Sequence, residues 1–253
     1  MAAFGDAYAE AGAERIHFLE GGQGAPLLLV HGAFSSGQEF VSTGFGAQLA
    51  KRFRILAPDS LAHGASSAPA DPSRYGARAR ASQLAAVLDA ARVERAHVVG
   101  YSMGAWMASA LAAFHPQRLA SLAIGGWDVV RGMYTPAAAW GLEEITGAML
   151  IDMARNENPE LAAWVLPEHE RALAWAIEGM NDLEGLAEGV SVLRAPVALW
   201  CGREDLYYDA VVSFAAANNL PVLDLPGDHI SMLRQHGVEA AERVARFIDT
   251  SAR

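Results

Sequence analysis

A serine between two glycines stands at the centre of the chemistry that this 253-residue sequence can perform. Gly100, Ser102 and Gly104 follow a run rich in β-branched residues and precede a run of helix-forming residues. This order predicts a tight turn from a strand into a helix, where small neighbours tolerate the strained backbone that projects a serine hydroxyl. The N-terminus of the helix directs the Met103 N–H towards a developing oxyanion. We therefore predict that Ser102 is a nucleophile in acyl transfer.

A second motif follows a predicted buried strand and reads His31, Gly32, Ala33 and Phe34. Together with the serine motif, it resembles the α/β-hydrolase-fold serine hydrolases. The resemblance implies that the Ala33 N–H joins the Met103 N–H as an oxyanion donor, and that His31 holds the turn in place. Phe34 is expected to form a wall of the substrate pocket.

A third segment, from Asp59 to Ser66, resembles the family's Asp-x-x-Gly-His-Gly-x-Ser loop. It differs from that pattern because Ala62 stands where glycine is usual. We expect this loop to mark the fold, with Asp59 and His63 bonded to backbone and neither of them catalytic.

The resemblance also implies the two partners of the serine, since a serine hydroxyl needs a general base. His229 follows the last predicted strand, where the family carries its catalytic histidine, and the other histidines are expected to be structural or at the surface. Asp205 ends a Gly-x-x-Asp pattern after the preceding strand, while Asp128, after an earlier strand, is the competing acid. We predict a triad of Ser102, Asp205 and His229, in the chain order of this fold.

Short apolar runs alternate with helix-forming stretches and predict the scaffold. Continuous apolar character over four to six residues is typical of strands that are covered on both faces. The predicted strands are 26–30, 54–57, 96–99, 119–124, 197–201 and 221–225, and the predicted helices are 82–91, 106–114 and 238–248. This alternation predicts a mostly parallel, doubly wound α/β sheet with helices on both faces, and residues 15–19 are expected to form an antiparallel edge strand.

Residues 127–193 break the alternation, because they contain helical patterns and no convincing strand. We predict a helical cap at 127–193 over a core domain formed by 1–126 and 194–253. The cap holds four of the six tryptophans, and we expect Trp127 and Trp140 to line an apolar pocket. Arg131, at the entrance of the cap, is a candidate partner for a substrate carboxylate.

The composition restricts the kinds of partner that this protein is expected to bind. The net charge of −10 argues against nucleic acid or an anionic membrane as the main partner. The single cysteine, Cys201, allows neither an intramolecular disulfide nor a cysteine-based metal site, and we predict no cofactor and no metal. The N-terminal residues lack the pattern of a signal peptide, so a cytoplasmic location is expected. A small-molecule substrate is the expected partner, and the sequence does not fix an oligomeric state.

These observations favour a cofactor-free serine hydrolase that cleaves an ester or similar acyl bond of a small, largely apolar substrate through an acyl-enzyme. Two alternatives stay open. One is a carbon–carbon bond or enol-lactone hydrolase of aromatic degradation, which is similar in size, cap and triad. The other is a slow-turnover ligand sensor of the same fold. Haloalkane dehalogenases and epoxide hydrolases of this fold are disfavoured, because they use an aspartate where this chain has Ser102.

Overall fold

The computed structural model describes residues 3–251, and within them eight strands form one sheet. Their bounds are β1 (Phe4–Ala11), β2 (Glu14–Gly22), β3 (Ala25–Val30), β4 (Phe53–Pro58), β5 (Ala96–Tyr101), β6 (Leu119–Gly125), β7 (Val197–Gly202) and β8 (Val222–Leu225). The spatial order is β1-β2-β4-β3-β5-β6-β7-β8. The pairings of β1 with β2 and of β2 with β4 are antiparallel. The other six strands of this order, β4, β3, β5, β6, β7 and β8, run parallel to one another. The prediction of a mostly parallel α/β sheet is confirmed.

Helices cover both faces of this sheet. Within the described residues they are α1 (Gly37–Ser42), α2 (Gly44–Leu49), α3 (Ala77–Ala90), α4 (Met103–Phe114), α5 (Tyr134–Ala139), α6 (Gly147–Glu157), α7 (Pro159–Ala162), α8 (Glu170–Glu178), α9 (Leu186–Ser191), α10 (Tyr208–Asn218) and α11 (Ser231–Ser251). On β3, Leu27 and Leu29 pack with α1, α2 and α11, whereas Leu28 and Val30 pack with α3 and α4. The strand is apolar throughout because successive side chains point to opposite, equally buried faces.

The first two strands differ from the sequence prediction. Residues 15–19 do form part of an antiparallel strand, but β2 lies inside the sheet and β1 takes the edge. The sequence of β1 mixes polar and small residues, and most of its side chains are at least partly exposed. An edge strand of this kind lacks the apolar run that identified the inner strands.

Residues 126–196, which connect β6 to β7, are named the helical segment here. They contain α5 to α9, and no strand lies within these described residues. The division into a core of 1–126 and 194–253 and a cap at 127–193 stays a prediction. The two ends of that predicted core, residues 1–2 and 252–253, lie outside the described residues. Across residues 3–251, no helix combines the length and the apolar character needed to cross a membrane.

Candidate active site

The turn from β5 into α4 carries Ser102 with a φ of 56° and a ψ of −120°. Non-glycine residues rarely adopt this region, so the turn stores backbone strain. It also needs glycine on both sides, because a Cβ on Gly100 would lie 2.2 Å from the Gly104 carbonyl oxygen and one on Gly104 would lie 2.1 Å from that of Val30. The Ser102 N–H donates to the Gly125 carbonyl at 2.8 Å, which ties the turn to β6.

The imidazole of His229 bridges Ser102 and Asp205. Its Nε2 lies 3.0 Å from Ser102 Oγ, and its Nδ1 lies 2.8 Å from Asp205 Oδ2. An ionised carboxylate only accepts hydrogen bonds, so Nδ1 carries the proton of the neutral ring and Nε2 is free to accept one from the serine. Ser102 follows β5, Asp205 follows β7 and His229 follows β8, so the carboxyl ends of parallel strands bring the three side chains together.

The Asp205 carboxylate is buried and well supplied with donors. Burial opposes its ionisation, but the hydrogen bond and the charge of His229 and the Tyr207 N–H, which donates to Oδ1 at 3.0 Å, hold its pKa below the ordinary value. Burial, together with the same carboxylate, raises the pKa of the neighbouring Cys201 thiol, which therefore stays protonated. Asp205 is thus an ionised partner for an imidazolium at His229.

Asp128, the competing candidate, has a different role. Its Oδ1 accepts the Val130 and Arg131 N–H groups at 2.9 and 3.0 Å, and its Oδ2 accepts the Thr135 hydroxyl. This pattern caps a turn. The structure brings Asp205, and not Asp128, to the imidazole.

Two backbone N–H groups predicted as oxyanion donors flank the serine turn. A Cβ on Gly32 would lie 3.3 Å from Ser102 Cβ, so the turn that carries Ala33 lies directly against the serine. Met103 is the first residue of α4, and its N–H has no carbonyl partner within the helix. The arrangement can place both donors next to a carbonyl that Ser102 attacks, and the oxyanion roles of Ala33 and Met103 stay predictions.

A cavity of about 530 Å³ opens above Ser102. From the core it is lined by Gly32, Ala33, Phe34, Ser35, Glu39, Phe40, Thr43, Tyr101, Ser102, Asp205, Leu206, Tyr207, His229, Ile230, Leu233 and Arg234. From the helical segment it is lined by Met133, Pro136, Trp140, Leu150, Met153, Ala154, Glu157, Asn158, Leu161 and Met180. The helical segment therefore covers the carboxyl ends of the strands with a mainly apolar surface.

Comparison with known proteins identifies the family. The family described as "alpha/beta hydrolase fold" matches residues 25–163, which is more than half of the chain. The chain belongs to the alpha/beta hydrolase fold family.

Relatives of this hydrolase include two bacterial enzymes. The 2-hydroxymuconate semialdehyde hydrolase of Pseudomonas sp. (strain CF600) is 34% identical over 210 residues, which cover 76% of this chain and 74% of the relative. The hydrolase of the same name from Pseudomonas putida is 28% identical over 258 residues, covering 93% and 89%. Among solved structures, the enol-lactonase from Burkholderia xenovorans LB400 matches with a TM-score of 0.76 at 20% identity, covering 96% of this chain and all of that one.

The cavity of the hydrolase contains only part of the predicted pocket. Phe34 and Trp140 line it, as expected. Contrary to expectation, Trp127 and Arg131 do not line it. Trp127 is 1% exposed and packs behind Tyr207, with ring centroids 5.6 Å apart, while Arg131 points to solvent. Trp127, two residues after the end of β6, is part of the core, so its size alone does not place it in a pocket.

Sequence reasoning missed two tyrosines that contact His229. The Tyr101 and Tyr207 rings lie 5.1 and 5.5 Å from the imidazole, centroid to centroid. Tyr101 directly precedes Ser102, and Tyr207 lies two residues after Asp205. These positions in the sequence were the signal that could have placed both tyrosines near the site.

The third segment of the sequence folds as a loop held by Asp59. Its carboxylate accepts the Gly37 and Ala65 N–H groups at 2.8 and 2.9 Å and contacts His17 Nδ1 at 2.8 Å. Ala62 has a φ of 68°, which explains why glycine is usual there. Across the described residues, no group of three or more histidine, cysteine or acidic side chains is arranged to hold a metal ion.

Proposed function

We propose that this protein is a serine hydrolase that cleaves an ester or similar acyl bond of a small, uncharged and largely apolar substrate. The observation that carries the proposal is the hydrogen-bonded series from Ser102 through His229 to Asp205, with distances of 3.0 and 2.8 Å. A nucleophile, a base and an ionised acid at these distances are what acyl transfer through a covalent intermediate requires.

The reaction follows from this geometry. Ser102 Oγ attacks the carbonyl carbon while its proton moves to His229 Nε2, and the negative charge forms on the carbonyl oxygen between the N–H groups of Ala33 and Met103. The tetrahedral intermediate collapses as the imidazolium gives its proton to the leaving group, which leaves an acyl-enzyme. Water, deprotonated by the same imidazole, then releases the acid and regenerates Ser102.

The charges around the cavity support an uncharged substrate. Glu39 and Glu157 both line it, in addition to the buried Asp205. Among the lining residues that the structure describes, the only lysine or arginine is Arg234, and its guanidinium forms an ion pair with Glu160. A substrate carboxylate would therefore meet a negative surface without a free cation.

The helical segment acts as a cap in this proposal. Its apolar side chains, among them Met133, Trp140 and Leu150, face the same cavity as Ser102. Burial against them contributes about 25 cal/mol for each Å² of apolar substrate surface, which favours an apolar acyl or alcohol group.

The second candidate function is hydrolysis of a carbon–carbon bond or an enol lactone. The names of the relatives favour it, since they include 2-hydroxymuconate semialdehyde hydrolases and an enol-lactonase. A 2-hydroxymuconate semialdehyde carries a carboxylate, and Arg131, the cation predicted to bind one, lies outside the cavity lining. An uncharged lactone, like an uncharged ester, brings no carboxylate to this cavity.

The test uses wild type and Ser102→Ala with p-nitrophenyl esters of graded chain length. We expect repeated turnover by the wild type and a loss of about 10⁴-fold or more in the variant. A fluorophosphonate should add once to the wild type, on Ser102 by peptide mass analysis, and not to the variant. Near-normal hydrolysis by Ser102→Ala would refute the proposal, and a single slow turnover would favour a ligand sensor.

A further inference from the structure

Tyr101, the last residue of β5, contacts both partners of the serine that follows it. Its hydroxyl donates to the His229 carbonyl oxygen at 2.8 Å and lies 3.3 Å from Asp205 Oδ2. Its ring stacks on the imidazole, with 5.1 Å between centroids and 29° between planes. One buried side chain, 4% exposed, is therefore placed against both His229 and Asp205, the two residues that activate Ser102 in the proposed reaction.

The Tyr101 side chain is itself fixed. Its ring packs against Trp200 with centroids 5.0 Å apart, and Trp200 is fully buried. Burial and the nearby Asp205 raise the pKa of Tyr101 well above its ordinary value, so the hydroxyl remains a donor. A buried and packed ring with a protonated hydroxyl can determine the position of a neighbour that belongs to a loop.

His229 is such a neighbour. It lies between the end of β8 at Leu225 and the start of α11 at Ser231, and its side chain is 29% exposed. The Asp228 carboxylate accepts N–H groups within this loop, but those bonds are local. The bond from the Tyr101 hydroxyl instead ties the backbone of His229 to the strand that carries Ser102.

We propose that Tyr101 is a positioning residue, whose single hydroxyl proton is shared between the His229 carbonyl oxygen and the Asp205 carboxylate and which thereby holds His229 in line with Ser102. This inference rests on the proposed function. The titratable groups that bear on the imidazole are Asp205, Tyr101 and Tyr207 in contact with it, Asp228 beside it in the chain, and the Cys201 thiol against Asp205.

Tyr101→Phe tests the proposal, because it removes the hydroxyl and keeps the ring. The matched control is Tyr75→Phe, which removes another bond from a buried tyrosine to a carbonyl, 2.9 Å to Pro69, in a part of the core that does not line the cavity. For both variants, kcat, KM, the pH dependence of kcat/KM and Tm are measured with p-nitrophenyl acetate.

We expect Tyr101→Phe to lower kcat about 5- to 10-fold, the worth of one hydrogen bond, with KM changed less than about 2-fold. Without the hydroxyl, Asp205 attracts the imidazolium more strongly, so the acidic limb of the profile moves to higher pH. Tyr75→Phe should show a similar fall in Tm with wild-type kcat and an unmoved limb.

Equal effects of the two substitutions on kcat, or an unmoved acidic limb in Tyr101→Phe, would overturn the positioning role. Fluorophosphonate labelling of the wild type separates this failure from that of the proposed function. If wild type labels at Ser102 and Tyr101→Phe behaves as wild type, only the role of Tyr101 falls. If wild type neither labels nor turns over, the proposed function falls and the role of Tyr101 with it.

Discussion

The backbone N–H of Ser60 donates a 3.0 Å hydrogen bond to Nε2 of His31. This bond makes Nε2 the acceptor, so Nδ1 carries the proton and donates to the Gly32 carbonyl at 2.7 Å. Burial lowers the pKa of His31, despite the attraction of Asp59, and so favours the neutral ring that this pattern needs. His31 thereby joins the loop after β4 to the turn that carries Ala33.

His31→Ala should misplace the turn and lower kcat by about 10- to 100-fold, since a displacement of about 1 Å in an active site can cost that much. KM for a small ester should change little. The control is His97→Ala, a buried histidine at the amino end of β5 whose Nδ1 lies 2.8 Å from Ser121 Oγ. Both variants should have a lower Tm than wild type, but only His31→Ala should have a lower kcat. A wild-type kcat in His31→Ala would show that the position of this turn does not affect catalysis.

Asp205→Asn should lose about 10³- to 10⁴-fold in kcat, because an amide neither stabilises an imidazolium nor selects the correct tautomer. Asp128→Asn should keep kcat within a few-fold and change stability by less than about 1 kcal/mol, because the side-chain oxygen of an asparagine caps a turn about as well as that of an aspartate. Rates at saturating ester and urea unfolding curves decide between them. The assignment of the acid is wrong if the two variants exchange these outcomes.

The inner sheet and the chemical groups at its strand ends could be predicted from sequence. Strands such as β3 and β7 are apolar on both faces, and short runs of this kind are typical of parallel strands buried between two helical layers. Ser102, Asp205 and His229 each follow such a strand, so predicting the strands also predicts where their side chains converge.

The composition of the cavity could not be predicted in the same way. Which side of a helix faces the site depends on how the helical segment packs, and Leu150 and Met153 on α6 gave no local signal. Trp127 has the residue type expected of a pocket, but it is buried behind Tyr207. Contacts between distant parts of the chain decide these positions.

Stability should fall as the pH drops below neutrality. Burial, together with the repulsion from a protonated His31 and from Arg80, lowers the pKa of His63 well below the ordinary value of 6.5. Below that value the unfolded chain binds a proton that the folded chain excludes, so stability is fully present above pH 6.5 and is lost as the pH falls from there towards the folded pKa. When Tm is measured as the pH is lowered from about 8 to about 5, it should fall less steeply in His63→Gln than in wild type. Parallel curves would contradict this.

Trp140→Ala should change the ranking of esters by chain length, because Trp140 lines the cavity and is 43% exposed. The highest kcat in the series should stay close to that of wild type. Trp127→Phe is the matched control, since its ring is buried outside the cavity lining, and it should lower Tm without changing the ranking. An unchanged ranking in Trp140→Ala would remove the proposed role of this part of the helical segment in specificity.

Charge at the cavity should discriminate between substrates that differ only by a carboxylate. Wild type should hydrolyse p-nitrophenyl butyrate with a higher kcat/KM than p-nitrophenyl hemisuccinate, and added NaCl should narrow the difference by screening Glu39 and Glu157. Glu39→Gln and Glu157→Gln should each raise kcat/KM for the hemisuccinate by about 2- to 5-fold, as expected for removing one partly exposed charge nearby, and change that for the butyrate by less.

Glu188→Gln is the control, because it removes the same charge from the exposed side of α9, outside the cavity lining. It should alter kcat/KM for neither ester. A wild-type preference for the hemisuccinate would contradict the proposal of an uncharged substrate and would favour the carbon–carbon bond hydrolase. An equal response to all three substitutions would exclude Glu39 and Glu157 as the basis of the selectivity.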